Sequence, residues 1–280
     1  MTDYIDTHQH LIYHDRFGYD WAAGIDALSQ SNFTAQDYLA LTADKPVKGS
    51  IFMEVAVNDS DYQAEAEFIS TLVGDHGILG QIASCRPETD DGFDDWLSRA
   101  NDLNIVGYRR VLHVMPDDLS KSDRFRKNLR KIGTAGKTFD LCVLPHQLGI
   151  GYDLAKACDN TQFILNHCGV PNIADNEFDV WADGISQIAG LDHMMVKVSG
   201  LTAYCGTRAH AFETLSPWFD HVLNCFGPNR MVWGGDWPVV NLGSGLPRWI
   251  DLSSELMSGL SSDEQLQISS NNALAAYGLT

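Results

Sequence analysis

The stretch Ile5-Asp6-Thr7-His8-Gln9-His10 reads as a short β-strand that puts two imidazoles on one face, because side chains two apart along a strand point the same way. Far downstream, Arg230-Met231-Val232-Trp233-Gly234-Gly235-Asp236-Trp237-Pro238 reads as an apolar strand that ends in a carboxylate followed by a breaker. Two histidines from one end of the chain and an aspartate from the other share chemistry only where the fold closes on itself. A barrel of parallel strands would close it.

The rest of the chain has that rhythm. Short β-branched or apolar runs alternate with longer amphipathic stretches, the pattern of repeated βαβ units. Eight strands are expected, at residues 4–9, 50–57, 78–84, 105–112, 139–144, 162–167, 194–199 and 231–235. Between them Tyr62, Ala66, Ile69 and Val73 recur at helical spacing. So do Phe93, Trp96, Leu97 and Ala100, and then Leu215, Trp218, Phe219, Val222 and Phe226, as faces that pack on the outside of a barrel. At 280 residues the chain suits one eightfold barrel, for which about 250 residues are typical. We therefore expect an α/β fold, a distorted (β/α)8 TIM barrel, as one domain over residues 1–280. The segment from Leu11 to Lys48 is long for a first crossover, so it should carry extra loop or helix that covers the site.

Composition excludes several classes. A net charge of −18 and a pI near 4.7 repel phosphate backbones and anionic membrane surfaces, so no nucleic-acid or membrane partner is expected. No run approaches the ~20 apolar residues of a membrane span, and the N-terminus enters its first strand too soon for a cleaved export signal. A cytoplasmic location follows as the expectation. The six cysteines have no C-x-x-C spacing and read as reduced, packed thiols. Oligomeric state is not legible from the sequence.

In a β/α barrel the reactive groups sit at the carboxyl ends of the strands. Strand one ends with His8 and His10, strand two carries Glu54, and strand four holds Arg109 and Arg110 with His113 just beyond. Strand five leads to His146 and Gln147, strand six to Asn166 and His167, strand seven carries Lys197 and Ser199, and strand eight ends at Asp236. Alternation turns one of the two arginines inward, and we favour Arg109, leaving Arg110 to pair with a helix acid. His76, His193, His210 and His221 fall in helices or loops and read as packing or surface residues.

These marks together resemble the amidohydrolase superfamily, in its lactonase branch, which includes 2-pyrone-4,6-dicarboxylate lactonase and the L-fucono- and L-rhamnonolactone hydrolases. They are Ile5 to His10, Gly107-Tyr108-Arg109-Arg110-Val111-Leu112, Phe139 to Leu148, Asn166-His167-Cys168-Gly169-Val170-Pro171, Val196-Lys197-Val198-Ser199-Gly200-Leu201 and Gly234 to Val239. Their order runs through almost the whole chain. Two positions depart from the family's pattern: Asn166 stands where an aspartate is usual, and Gly235 where a serine is usual.

The resemblance implies a hydrolase that opens the ester ring of a small lactone, most plausibly a sugar-acid (aldono-) lactone in carbohydrate metabolism. Asp236 would act as general base, with His8, His10 and His167 polarising the carbonyl. Arg109, His113, His146, Gln147, Glu54, Lys197, Tyr204 and Trp237 are the candidates for orienting substrate. No cofactor is required on this reading. The strand-four arginines disfavour a two-metal site that would need a carboxylated lysine there, while a single Zn or other divalent cation on His8, His10 and Asp236 is compatible with the ligand types. The same barrel could instead host a metal-dependent non-oxidative decarboxylase or a lactone isomerase, or, more remotely, a non-catalytic sugar-binding barrel.

Overall fold

The computed structural model describes residues 2–29 and 31–279. Strands β1 (Tyr4–Gln9), β2 (Val47–Met53), β3 (Ile78–Ser84), β4 (Ile105–Val111), β5 (Thr138–Cys142), β6 (Phe163–Leu165), β7 (Met194–Ser199) and β8 (Met231–Gly234) follow one another in a single parallel sheet. Helices α1 (Asp26–Ser29) and α2 (Ala35–Thr42) occupy the first crossover. Then come α3 (Tyr62–Ser70), α4 (Phe93–Ser98), α5 (Asp123–Thr134), α6 (Leu148–Ala157), α7 (Phe178–Ala189), α8 (Phe212–Phe226) and α9 (Leu246–Leu256). The chain finishes with α10 (Ser262–Leu266) and α11 (Asn272–Ala276), joined by one wide turn of helix over Gln267–Asn271. The expected eight-stranded α/β barrel is what forms, and no helix among the described residues is long and apolar enough to cross a membrane.

The seam between β8 and β1 is closed by a carboxylate rather than by a continuous ladder. Asp6 Oδ1 accepts from the backbone N–H groups of His8 (2.8 Å) and Gly235 (2.7 Å), and Oδ2 accepts from the Tyr38 hydroxyl (2.6 Å). Beyond it, Asp236 N donates to His8 O and His10 N to Trp237 O, each at 2.8 Å. Tyr38 reaches Asp6 because α2 starts at a defined place. Thr34 caps it, accepting from Asp37 N while its own N–H donates to Asp37 Oδ2. A side chain at Gly235 would meet Asp6 Oδ2 at 2.4 Å, which accounts for glycine at that departure from the family pattern.

Inside the barrel, side chains stack in layers. The floor is apolar, built of Ile5, Ile51, Met53, Ile82, Ile164, Met195 and Val232, and it is plugged from below by Ala273 and Tyr277 of the C-terminal segment. Above it lies an ionic layer. Lys197 Nζ donates to Asp140 Oδ1 at 2.6 Å and to Thr7 O at 2.7 Å, Asn166 Nδ2 donates to the same carboxylate oxygen at 2.8 Å, and the Tyr277 hydroxyl donates to Asp140 Oδ2 at 3.1 Å. Both charges are fully buried, which is tolerable only because each is paired and hydrogen-bonded. Period-two alternation in β7 runs this column from floor to site as Met195, Lys197 and Ser199.

Strands β2 and β6 depart from the sequence expectation for a local backbone reason, while the ends of β4, β5 and β8 shift by one or two residues. Strand β2 spans 47–53 rather than 50–57, because the chain turns at Ala56 with φ 49°. Strand β6 stops at Leu165, since His167, Cys168, Gly169 and Val170 all adopt left-handed backbone, with φ between 52° and 73°. Three of those four carry a side chain, and Val170 is β-branched, so the turn is held by its surroundings rather than by local preference.

Candidate active site

The left-handed turn after β6 swings His167 towards His8, and the two rings stand 4.4 Å apart between centroids. Asp236 also has a positive φ, 58°, and comes off β8 into the same space. Its Oδ1 lies 3.7 Å from His8 Nε2 and 3.5 Å from His10 Nε2, and its Oδ2 lies 3.8 Å from His167 Nδ1. All four side chains are buried, so residues from both ends of the sequence meet at one strand-end ring.

Hydrogen bonds assign the protons. His10 Nδ1 faces the Met53 carbonyl oxygen at 2.9 Å, so it carries the hydrogen and leaves Nε2 as an acceptor. Arg109 Nη1 donates towards His8 Nε2 at 3.3 Å, which puts the His8 hydrogen on Nδ1, an atom without a partner among the described residues. Ser199 Oγ lies 2.9 Å from His167 Nδ1. Burial keeps these rings neutral. It pulls His10 down to about 3 and His167 to about 4, and lowers His8 as well, with the Arg109 and Lys197 cations adding to the effect.

Asp236 is displaced the other way. Burial raises its pKa, with His167, Arg109 and Lys197 opposing, and its Oδ2 has no hydrogen-bond partner among the described residues. A buried carboxylate oxygen left unpaired is costly unless something else is meant to meet it. Beside it lies a cavity of about 310 Å³. His10, Arg109, His113, His167, Tyr204 and Asp236 give it a polar floor, and Trp21, Val55, Val111, Val114, Leu144 and Val239 are among its apolar walls.

Arg109 points inward, where Nε donates to Glu54 Oε1 at 2.5 Å and Nη2 to Glu54 O at 2.6 Å. Burial alone would raise the Glu54 pKa, but the guanidinium overrides it and holds the carboxyl below its usual range. Glu54 therefore aims Arg109 and is itself turned to a neighbouring cavity, not to the one beside Asp236. Arg110 points outward to Glu88 and Asp59, acids on loops rather than on a helix.

Several residues expected against substrate stand elsewhere. Lys197 is locked in the ionic layer beneath the site. Trp237 is wall packing, edge-on to Phe33 and Tyr38. Gln147 is tied to Asp117 Oδ1 and to Leu144 N. His146 lines a second cavity further out. Conversely, Trp21 belongs to the site and escaped the sequence reading, although the first crossover was expected to provide cover. Its indole Nε1 donates to Val55 O at 2.8 Å and so pins the crossover over the cavity. Ser199 was legible as the next inward position after Lys197.

The fold and the polar ring define a β/α barrel with an aspartate and histidines gathered at its strand ends. The chain belongs to the amidohydrolase family, whose model matches residues 5–279. It is 25% identical over 300 residues to an L-fucono-1,5-lactonase of Burkholderia multivorans, covering 98% of this chain and 96% of the relative. An amidohydrolase of Burkholderia multivorans solved with bound zinc superimposes with a TM-score of 0.88 at 21% identity, covering 99% of this chain and 100% of the other. A probable 2-pyrone-4,6-dicarboxylic acid hydrolase of Acinetobacter baumannii, with citric acid bound, matches with a TM-score of 0.80 at 17% identity over 99% of both chains.

Proposed function

We propose that this protein is a lactonase that hydrolyses the ring ester of a small lactone, with sugar-acid lactones as its substrate class. The observation that carries this is Asp236 Oδ2, an oxygen without a hydrogen-bond partner among the described residues on a carboxyl group with a raised pKa, beside neutral imidazoles and a cavity. In this reading Asp236 takes a proton from water while His10 Nε2, an acceptor, orients that water. The hydroxide adds to the carbonyl carbon, and Arg109 and His167 donate to the oxygen as it gains charge. Collapse breaks the ring C–O bond, and Asp236 returns its proton to the departing alkoxide. His8 keeps Arg109 in place instead of polarising the carbonyl itself, a narrower part than the sequence suggested.

The reaction so written needs no cofactor. The donor set also fits one divalent ion, since His8, His167 and Asp236 each offer a ligand atom within 4.8 Å of the others. His10, expected in that set, falls outside the grouping, although its acceptor nitrogen adjoins Asp236 Oδ1. An ion there would supply Lewis-acid polarisation and a more acidic water. Arg109, already 3.3 Å from His8 Nε2, is a competing cation.

Carbohydrate metabolism in the cytoplasm is the setting we assign, on the relatives' sugar-lactone names and on six free thiols, five of them buried. The test is a pH-indicator screen over five- and six-membered aldonolactones, with muconolactone-type acids as contrast. Proton release supports the reading. A second lactone formed without acid would mean isomerisation, and CO2 release would mean decarboxylation. Either result, or silence across the panel, overturns it.

A further inference from the structure

Beside the catalytic cavity lies a larger one, of about 820 Å³, bounded by the loops that follow β5, β6 and β7. The two share Leu144, Val170 and Tyr204 as a common sill. Resting on ring-ester hydrolysis and widening the substrates beyond sugar-acid lactones, we infer that this outer cavity is a subsite for an uncharged, largely hydrocarbon arm carried on the lactone ring.

Three observations support this assignment. The outer walls are mainly apolar, with Pro145, Pro171, Phe178 and Val180 prominent, and Val180 is 70% exposed, a large aliphatic surface left facing solvent. The asparagines there are already engaged. Asn172 Nδ2 donates to Asp175 and Glu177, and Asn176 Oδ1 accepts from Arg208. Among the described residues no Lys or Arg lines the cavity, whereas Glu177 and Asp179 do, so an anionic arm meets two carboxylates there, with His146 as the one imidazole.

The opposite side of the site explains why the arm goes this way. There a chamber of about 370 Å³ holds Arg86 and Arg110, but both guanidiniums are paired, with Asp59 and Glu88, and offer an arm no free charge, while Asp20, Glu54 and Asp59 keep the lining ionic beside Val57, Val111 and Met115. The site therefore opens on a charged chamber towards β2–β4 and on an apolar one towards β5–β7. The sill residue Tyr204 stays a neutral phenol, because burial and Asp236 hold its pKa far above the usual value.

The experiment measures kcat/KM for five-membered lactones bearing alkyl arms of increasing length, for one bearing a terminal carboxylate on an arm of equal length, and for the unsubstituted ring. It is run on the protein and on Val180→Asp and Ala174→Trp. Both substitutions are at exposed positions that line only the outer cavity. The expected result is a rise of about fourfold per methylene until the cavity fills, with little rise for the carboxylate arm. Each variant should lose roughly tenfold or more on the long-armed lactone and nothing on the unsubstituted ring. Equal kcat/KM along the alkyl series, or variants that lower all lactones alike, would overturn the subsite while leaving the hydrolase standing. No hydrolysis of any lactone, aldonolactones included, would sink both.

Discussion

Gly200 stands where any side chain would run into Asp236: a Cβ there would lie 2.2 Å from Oδ2, and the residue also has φ +59°. The missing side chain on β7's exit is what lets the β8 carboxylate lean into the ring. Gly200→Ala should therefore cost twice, through about 1–2 kcal/mol of left-handed strain and through displacement of the base. Denaturant unfolding should show the first, and kcat, down at least about tenfold, the second. Full activity in a correctly folded Gly200→Ala would remove Asp236's position from the mechanism.

Asp236→Asn keeps shape and removes the base. Lactone hydrolysis should fall at least about a hundredfold in kcat, while stability holds or rises, because a buried unpaired charge is gone. Proton-release kinetics and a thermal melt on the same preparation separate the two effects. Near-wild-type turnover would return the base to another residue.

Acid should draw stability from three buried histidines well above the carboxylate range. His8, His10 and His167 are held down by burial, the latter two to about 3 and about 4, whereas unfolded they take up a proton near 6.5. The unfolded chain thus binds more protons at these rings as pH falls from about 6.5 towards 4, and the stability the neutral rings contribute above 6.5 is lost over that window. Asp236, Asp6 and Glu65, each raised by burial, work the other way, adding stability at low pH that is lost as pH rises. The histidine contribution is therefore read by difference: between pH 7 and pH 4.5 acid should lower the urea midpoint less in His10→Gln than in the unsubstituted protein. The acid limb of kcat/KM should follow Asp236, above the ordinary value near 4, with no inflection near 6.5 from these rings.

Chelator treatment followed by desalting should leave lactone hydrolysis unchanged, because Arg109 already places a cation at His8. Elemental analysis before and after treatment gives the occupancy. Activity lost on chelation and restored by zinc would transfer carbonyl polarisation from Arg109 to a bound ion.

Tyr277→Phe removes the hydroxyl that meets Asp140 in the ionic layer. A hydrogen bond to a buried charge of this kind contributes about 1.5–3 kcal/mol, and denaturant titration should show a loss of that size. An unchanged midpoint would mean that Lys197 and Asn166 satisfy Asp140 without it.

The barrel was legible because period-two apolar runs are a local signal, and β7 and β3 fall at the expected residues. The ring of His8, His10, His167 and Asp236 was legible because each sits at or just past a strand's carboxyl end. What sequence hid was direction. Lys197 and Glu54 look like site residues by position, yet pairing with Asp140 and Arg109 spends their charge on scaffolding. Trp237 follows Asp236 in sequence but turns away to Phe33. The left-handed turn from His167 to Val170 has one glycine in four residues, too faint a signal to shorten β6 in advance.

The plug at the barrel floor also ties distant parts of the chain together. Tyr277 follows all eight strands in sequence, yet it completes the network around the Lys197–Asp140 pair, halfway up the barrel. Without it the strands would surround an open, wettable shaft with a charge pair at its waist. The keystone of this arch therefore comes from outside the sheet, and the polar ring above rests on a segment that contributes no strand to it.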